Sequence, residues 1–581
     1  MKRLAWFFAT LFLVACSAAN DSDSTQGVAD SETTSAWQRG AMAAAADSRA
    51  VAAAIEILEK GGSAVDAAIA THAVLGLVEP QSSGLGGGAF MLVYERQNKE
   101  LTYFDGRETA PAGATIDMFM RDGEVLGFFQ SWQSGLAIGV PGTLALYKSA
   151  HDKHGKLPWA DLFQPAIRLA QSGFEVSPRL ANYLPMMAER GRLDEDPGSA
   201  AYFYPEGKAL QVGDLRTNPE YAKTLTRVAK EGIDAFYSGE IAEAMASAAQ
   251  EGPDGGSMVA QDIAQYRAVS REVICGDFRQ MNICTTSPPS SGAAQIMIAG
   301  LYDHLSSGAE NQADKIAAFV DAQRLAYADR DYYFGDPDAI DVPLHELIDP
   351  QYIKHRATER IAPDAVPTHG DPGMVLHQES AALLWGLDTT AEVAGTTHFS
   401  IVDNEGNAVA MSATVGGPFG ASRWVAGFLL NNELTDFALA VRPDGKPVAN
   451  AIGPGKRPRS SLSPTIVLDK DGELLMVTGS VGGNSIPAYV SKTIIGVFDW
   501  GLSVQEAVDF PNIVARGETV RVEVSVEPGQ AIAADLAERG YNVQERQGEN
   551  AASHVIVVRP SKLEGAADPR REGIVTAITA Q

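Results

Sequence analysis

Residues 395–414 read Gly-Thr-Thr-His-Phe-Ser-Ile-Val-Asp-Asn-Glu-Gly-Asn-Ala-Val-Ala-Met-Ser-Ala-Thr. Two strand-like runs, 397–402 and 408–414, flank the turn cluster Asp403-Asn404-Glu405-Gly406-Asn407. Such a cluster between apolar runs is a strong hairpin signal. Pairing the runs about that turn sets Val402 opposite Ala408 and Thr396 opposite Thr414, to within one residue. Two threonine hydroxyls then meet at the open end of the hairpin, beside Gly395. Cross-strand threonine pairs are also common structural fillers. Pairing alone therefore leaves a structural and a chemical reading open.

Beyond the hairpin, short strand patterns recur at 465–468 and 474–478, with helical patterns at 488–498 and 531–539. Upstream, 312–332 reads as one long helix, and 141–250 is mostly helical. Residues 336–387 are irregular and rich in Pro, Asp and His, which marks a functional loop or a processing linker. Residues 89–94 and 101–104 read as a strand pair. The Ala-rich segment 41–77 reads helical throughout, broken at Gly61-Gly62. This mixture implies an α+β layered protein rather than regular βαβ alternation.

Composition narrows the function. The 581-residue chain carries 46 Lys and Arg against 73 Asp and Glu, a formal net charge of −27. That balance excludes nucleic acid as the expected partner, because binding phosphate backbones needs a basic footprint. Hydrophobic residues at 45% and charged residues at 20% describe a globular chain. Three cysteines are too few for a stapled scaffold or a multi-cysteine metal domain.

The first residues read as an address. Lys2 and Arg3 precede an apolar run, 4–14, too short to span a bilayer. The run ends in Leu13-Val14-Ala15-Cys16, which resembles a bacterial lipobox. Residues 1–16 are expected to be a lipoprotein-type signal with lipidation at Cys16; the plainer alternative is cleavage near Ala18 or Ala19. Residues 17–38 then form a flexible, Ser- and Asp-rich tether. Either route exports the protein, to the periplasm or cell envelope. In an oxidising compartment Cys275 and Cys284, set in a strand–turn–strand pattern, are expected to form a hairpin disulfide; the alternative is two separate buried thiols.

Several familiar signatures fail on context. The glycine run Gly84 to Gly88 follows a Pro-terminated helix and precedes a strand, the reverse of a dinucleotide loop. His151 and His154 lack acidic or Cys partners in a metal-site pattern. No G-x-S-x-G elbow is present.

Read together, colinear segments resemble the γ-glutamyltransferase (γ-glutamyltranspeptidase) family of N-terminal-nucleophile hydrolases from about residue 39 to 573. They are Gly-Gly-Ser-Ala-Val-Asp-Ala-Ala (61–68), Val-Glu-Pro-Gln-Ser-Ser-Gly (78–84), Asp-Gly-Arg-Glu-Thr-Ala-Pro (105–111) and Gly-Val-Pro-Gly-Thr (139–143). They continue with Thr-Thr-His-Phe-Ser (396–400), Leu-Asn-Asn-Glu (430–433), Lys-Arg-Pro-Arg-Ser-Ser (456–461), Gly-Ser-Val-Gly-Gly (479–483) and Ala-Ala-Asp-Pro-Arg (566–570). The resemblance implies a four-layer αββα sandwich. It also implies self-cleavage of the Gly395–Thr396 bond into a large subunit, 39–395, and a small catalytic subunit, 396–581, which stay associated.

Cleavage has a chemical purpose. An internal threonine has no adjacent base, whereas a free α-amine titrates near neutrality and accepts the hydroxyl proton. By resemblance, Thr396 attacks a γ-glutamyl amide such as that of glutathione, and water or an amino acid or peptide amine releases the acyl-enzyme. Thr414 hydrogen-bonds the nucleophile, and Gly482 and Gly483 supply the oxyanion hole. Arg107 pairs with the donor carboxylate, assisted by Ser460 and Ser461, while Glu433 and Asp436 accept from the donor ammonium. No cofactor or metal is required.

The chain departs from the family pattern at several points. Gly416 stands where an Asn near the donor ammonium is common, and Ser287-Pro288-Pro289 stands for three prolines. Ala46-Asp47-Ser48-Arg49 lacks the His-Pro helix start, and 438–453, the usual lid region, has no aromatic residue. Two other functions compete: a glutaryl (cephalosporin) acylase, which would not need ammonium acceptors, and an uncleaved peptide-binding lipoprotein.

Overall fold

A computed structural model describes residues 37–579 except positions 253, 360, 381–384, 389, 391, 394 and 441–444. Cys16, the signal segment and nearly all of the tether lie outside the described residues.

The main elements, in chain order, begin with strand β1 (Ala41–Ala45), helices α1 (Ser48–Glu59) and α2 (Ala64–Val78), and strands β2 (Gly88–Glu95) and β3 (Glu100–Gly106). After a helical excursion come β4 (Val269–Arg271), β5 (Val273–Phe278), β6 (Met281–Thr286), α3 (Gly292–Leu305) and α4 (Gln312–Tyr333). The C-terminal part supplies β7 (Gly395–Val402), β8 (Ala408–Gly416), β9 (Thr465–Asp469), β10 (Leu474–Thr478) and α5 (Ile486–Phe498). It closes with β11 (His554–Val558), β12 (Leu563–Ala567) and β13 (Ile574–Ile578).

These strands build two stacked sheets. One runs β13-β1-β7-β8-β2-β3-β4 and the other β12-β11-β10-β9-β6-β5. The two-residue period of a strand sorts each sheet's faces. In β2, Ala89, Met91 and Val93 join a core with α1 and α2, whereas Phe90, Leu92 and Tyr94 join the core shared with the second sheet. Helix α2 packs on β7 and β8; on the far side α3 covers β5 and β6 and packs against α4 and α5. The order helix, sheet, sheet, helix is the αββα sandwich.

Residues 41–45 form a strand rather than the start of a helix. Alanine favours helix, but this run pairs with β7 on one edge and β13 on the other, and the ladder overrides a propensity worth only tenths of a kcal/mol per residue. The hairpin register is as read: Val402 pairs with Ala408 and Thr396 with Thr414. Residues 336–387 contain only three short helices, Leu344–Leu347, Pro350–Arg356 and Pro372–His377, among the described residues. Cys275 and Cys284 face each other across β5 and β6 and are joined by a disulfide.

Candidate active site

Strand parity places Thr396. Thr396 shares a face with His398 and Ser400, toward the gap between the sheets. His398 is fully buried, its Nδ1 2.9 Å from Ser412 Oγ and its Nε2 3.2 Å from Ser400 Oγ. Burial, with His554 nearby, pushes its pKa well below the usual histidine range. It is therefore neutral and buttresses the strand rather than acting as a base.

The Gly395 carbonyl is held. Thr414 Oγ1 donates to the Gly395 carbonyl at 2.6 Å and accepts from the Gly416 N–H at 2.8 Å. Arg571 Nη1 donates to the Thr396 carbonyl at 2.9 Å. Thr414 thus polarises the Gly395–Thr396 peptide unit, and Arg571 fixes the next carbonyl along the strand. Gly416 has φ +92°, and a Cβ there would lie 2.0 Å from Asn432 Oδ1, which accepts from the Gly417 N–H. This backbone leaves no room for the asparagine common at that position.

A small pocket brings together Thr396, Thr414, Glu433, Asp436, Ser460, Ser461 and Gly483. Gly482 and Gly483 have φ of +136° and +56°; a side chain at Gly482 would meet Tyr489, and one at Gly483 would lie 2.4 Å from the Glu392 carbonyl. Both positions need glycine for conformation and close approach alike.

Arg107 sits among carboxylates and carbonyls of the chain itself. It is completely buried, bonds Glu433, lies 2.7 Å from Asp436 Oδ2, and donates to the carbonyls of Pro458 and Arg459. Burial opposes its charge, but Glu433, Asp436 and Glu108 outweigh it and raise its pKa. Burial pushes Glu433 up to about 7, with Arg107 pulling the other way, and it lifts Asp436 well above the usual range. Glu433 Oε2 is buried and has no hydrogen-bond partner among the described residues. An acceptor left unpaired at a pocket wall suits a cationic ligand.

Of the polar side chains lining this pocket, sequence reading missed one. Glu392, four positions before the nucleophile, lines the same pocket. Burial disfavours its charge, yet Arg330, Arg459 and Ser461 hold its pKa down to about 2. The signal for it lay in its nearness to the Gly395–Thr396 bond; it falls between the irregular stretch 336–387 and the 397–402 run.

An αββα sandwich with a threonine poised at the start of a central strand defines the N-terminal-nucleophile hydrolase class. The Gamma-glutamyltranspeptidase family model matches residues 50–578, and the chain belongs to that family. It is 37% identical over 552 residues to the glutathione hydrolase proenzyme of Escherichia coli, covering 92% of this chain and 91% of that one. It is 38% identical over 469 residues to the proenzyme of the same name from Bacillus subtilis, covering 79% and 78%. Among solved structures, cephalosporin acylase from Bacillus halodurans superposes with a TM-score of 0.81 at 26% identity, over 94% of this chain and 97% of that one. Helicobacter pylori γ-glutamyltranspeptidase gives 0.52 at 33% identity, over 57% and 96%.

Proposed function

We propose that the chain is a self-processing γ-glutamyltransferase and glutathione hydrolase with Thr396 as its nucleophile. The observation that carries this reading is the Thr414–Gly395 hydrogen bond at the start of β7. It withdraws electrons from the carbonyl that Thr396 must attack. Thr396 Oγ adds to the Gly395 carbonyl carbon, and the C–N bond breaks. The hydroxyl proton ends on the departing nitrogen, which becomes the α-amine of Thr396. Water then hydrolyses the ester, leaving a Gly395 carboxylate and a free threonine hydroxyl.

The matured site repeats the same attack on a donor. The α-amine takes the Thr396 proton as Oγ adds to a γ-glutamyl carbonyl. Backbone N–H groups of the Gly482-Gly483 turn receive the oxyanion. Glu433 and Asp436, held by Arg107, accept from the donor ammonium. The amine leaves with a proton, and water or an acceptor amine discharges the ester. The acylase alternative is less well supported, because a glutaryl donor has nothing to offer Glu433 Oε2.

Export and lipidation at Cys16 belong to the same reading, with 39–395 and 396–581 as the subunits. An N-terminal basic-apolar segment ending at a cysteine supports it, and a disulfide is at home in an oxidising compartment. Intact mass tests the core of it. Two pieces should appear, the smaller starting at Thr396, with γ-glutamyl-p-nitroanilide hydrolysis gained on cleavage. One uncut, folded and inactive species would sink the reading.

A further inference from the structure

Thr396 is held by a side chain that the cut leaves in place. The ladder of β7 with β1 covers only Ser400, Ile401 and Val402. Residues 396–399 lie beyond its end, and a buried backbone carbonyl there needs another partner. Arg571 supplies it: Nη1 donates to the Thr396 carbonyl at 2.9 Å, and Nη2 donates to Asn550 Oδ1 at 2.6 Å. The turn that carries Arg571 is itself braced. The Arg571 N–H donates to the Asp568 carbonyl at 3.3 Å, and Arg570 pairs with Asp568 at 3.0 Å and with Glu523 at 2.7 Å. Thr396, Asn550, Asp568 and Arg571 all follow Gly395 in the chain. The hold therefore survives cleavage, whereas the Thr414 bond to Gly395 belongs to the uncut chain.

Charge gives Arg571 a second effect. The side chain is buried, and burial pulls its pKa down to about 9; Arg179 pushes the same way, and Glu79, Tyr183 and Asp568 only partly oppose them. It is still a cation at neutral pH. A second positive charge close by is disfavoured. Cleavage creates a candidate for that charge, the α-amine of Thr396, on the residue whose carbonyl Arg571 holds. To act as a base that amine must be unprotonated. The other ionisable groups nearby are matched or neutral. Glu433 and Asp436, which line the pocket with Thr396, pair with Arg107, and Glu392 pairs with Arg330. His398 and His554 are buried and uncharged.

We propose that Arg571 is the positioning residue for Thr396 in the matured enzyme: it fixes the strand end through the Thr396 carbonyl, and its charge keeps the freed α-amine in the neutral form that takes the hydroxyl proton. The assignment rests on the N-terminal-nucleophile reading above and deepens it. It also accounts for a guanidinium buried against a backbone carbonyl, where a neutral donor would satisfy the same bond without the cost of burying a charge.

The test uses the matured full chain and γ-glutamyl-p-nitroanilide. The readout is the acid limb of kcat at saturating donor, which reports the bound complex and so stands apart from Glu433, whose titration acts on KM. Arg571→Gln keeps an N–H donor and removes the charge; its limb is expected about one pH unit above that of the wild type. Arg571→Lys keeps the charge, and its limb should stay at the wild-type position. A limb unmoved in Arg571→Gln, or moved equally in both variants, overturns the proposal. Wild-type protein that matures without turning the donor over would instead remove the γ-glutamyl reading. Competitive acetylation of the matured wild-type protein with acetic anhydride across pH, read by mass on the peptide that begins at Thr396, needs neither turnover nor a variant that matures. The Thr396 amine should titrate about one unit below the ordinary α-amine range of about 7.7–8.0. A value within or above that range overturns the proposal.

Discussion

Thr414 and Glu433 make the sharpest residue-scale predictions. Thr396→Ala should leave one uncut chain by mass, since it removes the hydroxyl that adds to the Gly395 carbonyl. Thr414→Val keeps the shape and removes the donor to the Gly395 carbonyl, so self-cleavage should slow by about 100-fold or more, as for loss of one oxyanion donor. Time-resolved denaturing gels would measure it, and an unchanged rate would show that the bond has no part in processing. Glu433 carries the pH dependence. Its pKa of about 7 leaves it partly protonated at neutrality and ionised above, where it attracts an ammonium. KM for γ-glutamyl donors should fall as pH rises through about 7, and Glu433→Gln should flatten that limb. Stability moves oppositely: the folded carboxyl holds its proton more tightly than the unfolded one. Its contribution is present below the ordinary 4.5 and is lost as pH rises through about 7.

Among the elements, β8 depends on how closely β2 approaches it. Gly87, just before β2, has no space for a side chain: a Cβ would lie 1.9 Å from the Thr414 carbonyl oxygen. That contact is backbone against backbone, so one strand must shift. Gly87→Ala should cost about 1–3 kcal/mol and displace Thr414. Thermal unfolding should show a lower Tm and mass spectrometry slower self-cleavage; loss of stability with normal cleavage would mean that β8 absorbs the strain elsewhere. The hairpin at 395–416 was legible because its turn chemistry and two-residue alternation are local. Residues 41–45 were misread because their strand state is imposed by partners hundreds of residues away. Arg330 was unreadable as the partner of Glu392, since a charged residue on a long helix is ordinarily a solvated one.

Taken whole, the molecule interleaves the two halves that cleavage would create. In the first sheet β1, β2, β3 and β4 come from before Gly395, while β7 (but for Gly395 itself), β8 and β13 come from after it; β1 sits between β13 and β7. In the second sheet β5 and β6 come from before the cut and the other four strands from after it. Neither half can leave without unpairing strands inside both sheets. Cleaved protein should therefore elute as one species on native size exclusion and resolve into two only in denaturant. Separation under native conditions would contradict the sheet order.

The glycine pair at 482–483 was marked only by the family resemblance, whereas the amino-acid sequence by itself determined the hairpin and its register, the threonine at its open end and the layered α+β class. Each of these rests on spacing, turn chemistry or backbone freedom that a short window contains. Only the tertiary structure decided that Arg107 is engaged by Glu433 and Asp436, that Gly416 faces Asn432, and that Glu392 fills a cradle of Arg330, Arg459 and Ser461. A buried charge must meet its counter-charge wherever the chain brings one, and no local pattern records which distant residue that is.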